Sequence, residues 1–194
     1  MATKEDILEQ IVEEYLLHKG YFVRHNVKFM PSKSHAEYNS KKDCVASDID
    51  VIGVHPLIEG PDKIWVVSCK SWQGGFRPKS LLASIREKKQ ISGRDAWKGF
   101  HELTSDKWAE GFLGAINLAT GSNEFTYVVA ATHVIGDQRE WEHEMDFKRR
   151  LKGNPIRIVR LKEMIAEILS RLTRTPAATE VGRMLQLFKS AKIL

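Results

Sequence analysis

Three residues on two neighbouring strand-like runs carry the chemistry of this sequence: Asp50, Ser68 and Lys70. They lie within SDIDVIGVHPLIEGPDKIWVVSCKSW, Ser47 to Trp72, where two apolar runs flank the turn-rich PLIEGPD. Strand side chains alternate faces, so Asp48, Asp50, Ile52 and Val54 share one face of the first run. Ile64, Val66, Ser68 and Lys70 share one face of the second. An antiparallel hairpin whose faces coincide brings Asp50, Ser68 and Lys70 together near one sheet end. A lysine ending an apolar strand is costly unless it meets a partner. The plainer alternative is that Lys70 marks the strand's exit and snorkels into water. Carboxylate and ammonium brought side by side could bind a ligand or work on a proton, whereas the Ser68 hydroxyl brings no negative charge.

The elements that must position these residues follow from periodicity. Ile7, Leu8, Ile11, Val12, Tyr15 and Leu16 repeat at helical spacing, which predicts a helix over Thr3 to Lys19. Thr3 and Asp6 form a capping-box pattern at its start, and Gly20 is its natural stop. YFVRHNVKF predicts a strand, the polar segment Pro31 to Cys44 an exposed loop, and the hairpin two strands at Ser47–His55 and Lys63–Lys70. A helix begins at Pro78 with Leu81, Leu82 and Ile85 buried, and another is expected over Ser105–Leu118. EFTYVVAATHVI reads as a strand buried within a sheet, and IRIVR as a short further strand. Two helices close the chain, the last opening at Pro176 and running to about Ser190. The expected class is α/β, a central mixed sheet flanked by helices, with residues 1–160 as the principal domain and 161–194 as a C-terminal helical extension. That extension is expected to pack on the core or to mediate a homodimer.

With 194 residues, 42% hydrophobic and 28% charged, the chain fits one globular domain with a real core. Its net charge of +5 favours a polyanionic partner such as DNA without demanding one. Two cysteines, Cys44 and Cys69, make neither a disulfide framework nor a zinc site. The start MATKEDILEQ is unlike a secretory signal and no apolar run is long enough to span a bilayer, so a cytoplasmic location is expected. His143 among acids and His133 at a strand end form no metal or base constellation, and neither GxxxxGK[ST] nor GxGxxG occurs.

Asp50, an apolar strand, a turn and apolar residues leading into x-x-Lys resemble the motif of the PD-(D/E)xK nuclease superfamily. That family has the restriction-endonuclease-like core α-β-β-β-α-β, and the resemblance covers roughly Glu5 to Ile135. CKSW is also similar to the Mrr-like and Holliday-junction-resolvase-like branches. The resemblance implies a DNA endonuclease using Mg2+ or Mn2+ in defence, restriction or repair. It makes Asp50 a metal-binding aspartate, with Ile49 where the family often has proline, and Lys70 the family lysine. Ser68 falls at the second acid. Glu9, in the pattern ExxVxxxLxxxGYxV from Glu9 to Val23, matches an accessory glutamate of the first helix, with Glu13 and Glu14 as alternatives.

Magnesium takes oxygen ligands, commonly one or two carboxylates with waters and a substrate phosphate. Loss of the second carboxylate at Ser68 therefore weakens such a site. One group of type II restriction endonucleases in this family has Ser-x-Lys and draws its acid from a glutamate on the following helix. Glu87, seventeen residues past Lys70, is the matching candidate, with Glu102, Asp95 and Asp48 behind it. For Glu87 and Glu9 alike, the plain alternative is a solvated helix-surface acid. Gln73 and the following Gly-Gly are placed to shape a turn near phosphate, and Arg77, Lys79, Lys88, Lys89 and Arg94 to track a DNA backbone. Trp72 and Cys69 read as packing residues. Without motor motifs, any translocation requires a helicase, an ATPase or another protein subunit. The alternative reading is a catalytically inactive nuclease fold that binds DNA or serves as a structural subunit.

Overall fold

The computed structural model describes residues 7–91 and 93–193, with Arg94 described by its backbone alone. In chain order the elements are α1 (Ile7–His18), β1 (Phe22–Phe29), β2 (Ser47–Val54), β3 (Ile64–Lys70), α2 (Pro78–Arg86), β4 (Gln90–Ile91) and β5 (Arg94–Asp95). There follow α3 (His101–Thr104), α4 (Asp106–Thr120), β6 (Thr126–Ala131), α5 (Arg139–Glu142), α6 (Met145–Arg150), β7 (Ile156–Arg160), α7 (Leu161–Arg171) and α8 (Glu180–Ser190). The protein is α/β, with a five-stranded mixed sheet in the order β1-β2-β3-β6-β7. β1, β2 and β3 run as an antiparallel meander, while β6 is parallel to β3 and β7 parallel to β6. Thr3 and Asp6 lie outside the described residues. No helix among those described is long and apolar enough to cross a membrane.

Strand alternation divides the interior into two layers. Ile52, Val66, Tyr127, Val129 and Ile158 face one, beneath α2, α3 and α4. Val51, Trp65, Val67, Val128 and Ala130 face the other, against α1, α7 and α8. Simple alternation fails at one place, because Ile49 joins the same layer as Ile52. There, between the pairs His25↔Val51 and Val27↔Ile49, Asn26 has a φ of 53°, so β1 is twisted opposite Asp50. A left-handed asparagine within a strand interrupts the ladder and redirects the residues on either side of it.

Three further departures from the expected layout bear on the site. The segment 31–44 is irregular as expected, but it is tied down. Asp43 is buried and accepts from Lys107 Nζ at 2.6 Å, and Gly111 on α4 meets its start so closely that an added Cβ would stand 1.7 Å from the Met30 carbonyl oxygen. Between α2 and α4 the chain makes the β4–β5 hairpin, a 3-10 turn at Ala96–Phe100 and the one-turn α3. Elements this short carry too few residues to show a period. The last helix starts at Glu180, four residues after Pro176, where the Thr179 hydroxyl accepts the Gly182 N–H at 2.9 Å as an N-cap.

Candidate active site

The β2–β3 ladder runs from Val54↔Ile64 to Val51↔Val67. One step further the same register sets Asp50 opposite Ser68, and there the backbone pairing ends. The Asp50 side chain takes over, Oδ2 accepting the Cys69 N–H at 2.6 Å. β3 continues to Lys70 on β6, with Ser68 beside Val129 and Lys70 beside Ala131. The gap left between the two strands opens into a cleft of about 340 Å³. Asp48, Asp50, Ser68 and Lys70 line it from the sheet, and Lys98, His101 and Glu102 from the segment between α2 and α4.

The charges here are mutually dependent. Burial raises the Asp50 carboxyl above the ordinary aspartate value, the positive charge of Lys70 and the Cys69 N–H pull it back, and the charges of Glu102 and Asp48 push it further up. Lys70 Nζ lies 4.7 Å from the centroid of the Phe100 ring, itself fully buried. Lys70 thus has the partners whose need the sequence raised: an anionic neighbour and an aromatic face.

Glu102 is 6% exposed, and its Oε1 accepts a short hydrogen bond from the Tyr127 hydroxyl. Tyr127 stands on β6 with its ring edge-on to Phe112 at 5.9 Å. Burial raises the phenol well above its ordinary value; the Glu102 charge and hydrogen bond add to the rise, and the Ser68 hydroxyl opposes it. The phenol therefore stays protonated and donates. Glu102 Oε2 has no hydrogen-bond partner among the described residues, and neither has Asp50 Oδ1.

Of the other described residues expected at the site, all but Asp48 are placed outside the cleft. Glu87 caps the end of α2, exposed, with Oε2 2.5 Å from Lys89 Nζ, and it does not line the cleft. Its helix stops because Lys88 turns into the left-handed region, at φ 54°, and the chain leaves as the β4–β5 hairpin. Asp95 is held by Lys98 at 3.0 Å and by Gln90 at 3.3 Å. Asp48 does line the cleft, but Lys28 on β1 takes its Oδ1 at 2.5 Å. Glu9 belongs to the first turn of α1, whose buried side packs in the opposite layer, and is not among the lining residues. Glu13 faces His25 at 3.3 Å, and Glu14 is sealed beneath α8.

Gln73, Arg77, Lys79, Lys88 and Lys89 are exposed and outside the cleft, while the side chain of Arg94 lies outside the described structure. Gln73 borders a separate depression with Ser71, Thr132 and Leu161. The lining cation that sequence reasoning passed over is Lys98. Trp72 packs on Phe76 and Phe100 while remaining 38% exposed, and Cys69 packs into the α1 layer.

Among the described residues no group of three or more His, Cys, Asp or Glu side chains is arranged to hold a metal. A hard cation that keeps its waters needs only one or two carboxylates, which Asp50 and Glu102 can offer. No family model, curated protein or solved structure matches the chain, so its functional reading rests on these residues.

Proposed function

We propose that the chain is a metal-dependent DNA endonuclease of the PD-(D/E)xK type, in which Glu102 replaces the acid missing at Ser68. The observation that carries this reading is the meeting of Asp50, Ser68, Lys70 and Glu102 at one cleft, each of the two carboxylates having one oxygen without a hydrogen-bond partner among the described residues. The α-β-β-β-α-β succession, an antiparallel meander joined to a parallel strand, supports the restriction-endonuclease-like fold. The net charge of +5 is in keeping with a polyanionic substrate.

Asp50 and Glu102 would hold Mg2+ or Mn2+, oxygen ligands for a hard ion. When bound, such an ion neutralises charge on the scissile phosphate and lowers the pKa of the attacking water. Lys70, over the Phe100 ring and close enough to Asp50 to lower its carboxyl pKa, presents a compact positive charge that orients this water. Ser68 contributes a neutral hydroxyl beside Tyr127. Lys98 at the cleft wall provides a contact for a phosphate oxygen.

The test is magnesium- and manganese-dependent cleavage of supercoiled plasmid and branched DNA by the full chain and by Asp50→Asn, Lys70→Ala and Glu102→Gln. Cleavage by the parent chain that falls at least about 100-fold in each variant, on the order of 3 kcal/mol of barrier, supports the proposal. DNA affinity that is salt-sensitive yet indifferent to metal and to Lys70→Ala, with no cleavage, contradicts it and identifies an inactive DNA-binding module.

A further inference from the structure

We infer that Tyr127 is the positioning residue of this cleft: its buried hydroxyl fixes Glu102 Oε1 and so leaves Glu102 Oε2 for a bound divalent cation. The inference rests on the nuclease reading above and deepens it.

The placement begins with the sheet. Tyr127 pairs with Val66 and Val129 with Ser68, so Tyr127 and Ser68 are diagonal neighbours on the layer beneath the cleft. Tyr127 is 1% exposed, and a phenol hydroxyl left unpaired at such a position is costly. Its acceptor is the one carboxylate that α3 sends into the cleft. Tyr127 is also the sole hydrogen-bond donor to Glu102 among the described residues.

The backbone around Glu102 is independently held. Arg150 Nη1 donates to the Leu103 carbonyl at 3.1 Å, and the Thr104 hydroxyl donates to the Phe100 carbonyl at 3.0 Å. Those contacts fix where the one-turn helix sits, and Tyr127 fixes where the carboxylate points. Ser68 on β3 and Tyr127 on β6 are thus strand neighbours, and the Tyr127 hydroxyl reaches Glu102 on α3. An acid at position 68 would set a second negative charge against the same phenol, whereas a serine hydroxyl is compatible with it. The neutral residue at Ser68 and the acid at Glu102 are two halves of one arrangement, with Tyr127 between them.

The experiment is Mn2+ binding to the full-length protein, followed by the electron paramagnetic resonance of free Mn2+, for the parent chain, Tyr127→Phe, Glu102→Asp, Asp50→Asn and Thr179→Val. Tyr127→Phe removes only the hydroxyl and is expected to weaken Mn2+ about 10- to 100-fold, the usual cost of losing an outer partner of a metal ligand. Plasmid cleavage should lose kcat with KM for DNA unchanged. Glu102→Asp, which withdraws the carboxylate from the phenol while keeping its charge, should show the same weakening, so the result does not depend on one variant folding. Thr179→Val removes the hydroxyl from the other buried glutamate and should bind Mn2+ like the parent. Parent-like affinity in both Tyr127→Phe and Glu102→Asp, with Asp50→Asn impaired, overturns this inference alone. No Mn2+ binding by the parent, or binding indifferent to Asp50→Asn, overturns the nuclease reading and this inference with it.

Discussion

Two buried glutamates lie in opposite layers of this protein and receive the same kind of partner. Glu14, 2% exposed on α1, accepts a short hydrogen bond from Thr179 at Oε2 and lies 3.0 Å from His18 Nε2 at Oε1. Glu102, 6% exposed on α3 and lining the cleft, accepts from Tyr127 at Oε1, and its Oε2 has no hydrogen-bond partner among the described residues. Around Glu14 both oxygens are taken and the surface is closed: a Cβ at Gly182 would stand 2.3 Å from Oε1, so α8 docks there only through a glycine. A buried carboxylate with every oxygen used is a fastener. One with an oxygen to spare, beside a second carboxylate and a lysine, is equipped to bind. Burial does not separate these roles; the second oxygen does.

The sharpest way to break this comparison is to remove each acid and read both activity and stability. Glu102→Gln should lower metal-dependent cleavage at least about 100-fold and leave the thermal midpoint little changed, since the amide can still accept from Tyr127. Glu14→Ala should do the opposite. Its cleavage per folded molecule should match the parent, while urea unfolding shows a loss of about 3 kcal/mol from the stranded Thr179 hydroxyl and the cavity. Equal losses of activity in the two variants would erase the distinction.

Gly111→Ala comes next, because the added methyl would meet the Met30 carbonyl rather than a yielding side chain. About 1–3 kcal/mol of destabilisation by chemical denaturation is expected, with the 31–44 segment losing its seat on α4. A variant as stable as the parent would show that α4 and this segment are not in contact.

Asp50→Asn sharpens the comparison through pH. The folded protein raises the Asp50 carboxyl, so ionising it at neutral pH costs stability that returns as pH falls from above the folded value to below the unfolded value of about 4. Asp50→Asn should therefore melt higher than the parent at pH 7.5, and the advantage should vanish below about pH 4. A variant that melts lower at neutral pH would mean that the ties of Asp50 to Lys70 and Cys69 outweigh its burial.

The smallest effect belongs to Glu87. Its exposed pairing with Lys89 makes Glu87→Ala neutral within about 0.5 kcal/mol in stability, and cleavage should stay within about twofold of the parent. A collapse of activity in this variant would return the missing acid to α2.

The hairpin, the first helix and the apolar strand were legible because each spans enough residues for a period of two or 3.6 to emerge. Asp50, Ser68 and Lys70 were legible for the same reason, lying on two strands joined by one turn. From the sequence Glu102 is only a secondary candidate. It lies 32 residues past Lys70, behind a hairpin of two-residue strands and a 3-10 turn and within a single turn of helix, none of which leaves a pattern. The nearest clue is its setting in AWKGFHEL, a charged residue among aromatic and apolar ones. Asn26 was equally silent, since a left-handed residue within a strand follows from the pairing of β1 with β2 and from nothing local. The buried ends of Asp43 and Glu14 depend on Lys107 and Thr179, 64 and 165 residues away, and such pairings have no local signature.

The central claim, that Glu102 supplies the acid Ser68 lacks, is tested most directly by moving the carboxylate back. Manganese-dependent plasmid cleavage would be measured for Glu102→Gln and for the double variant Glu102→Gln with Ser68→Asp, against the parent chain. The account predicts that activity is lost in the single variant and substantially recovered in the double one. Parent-like cleavage by Glu102→Gln alone would contradict it.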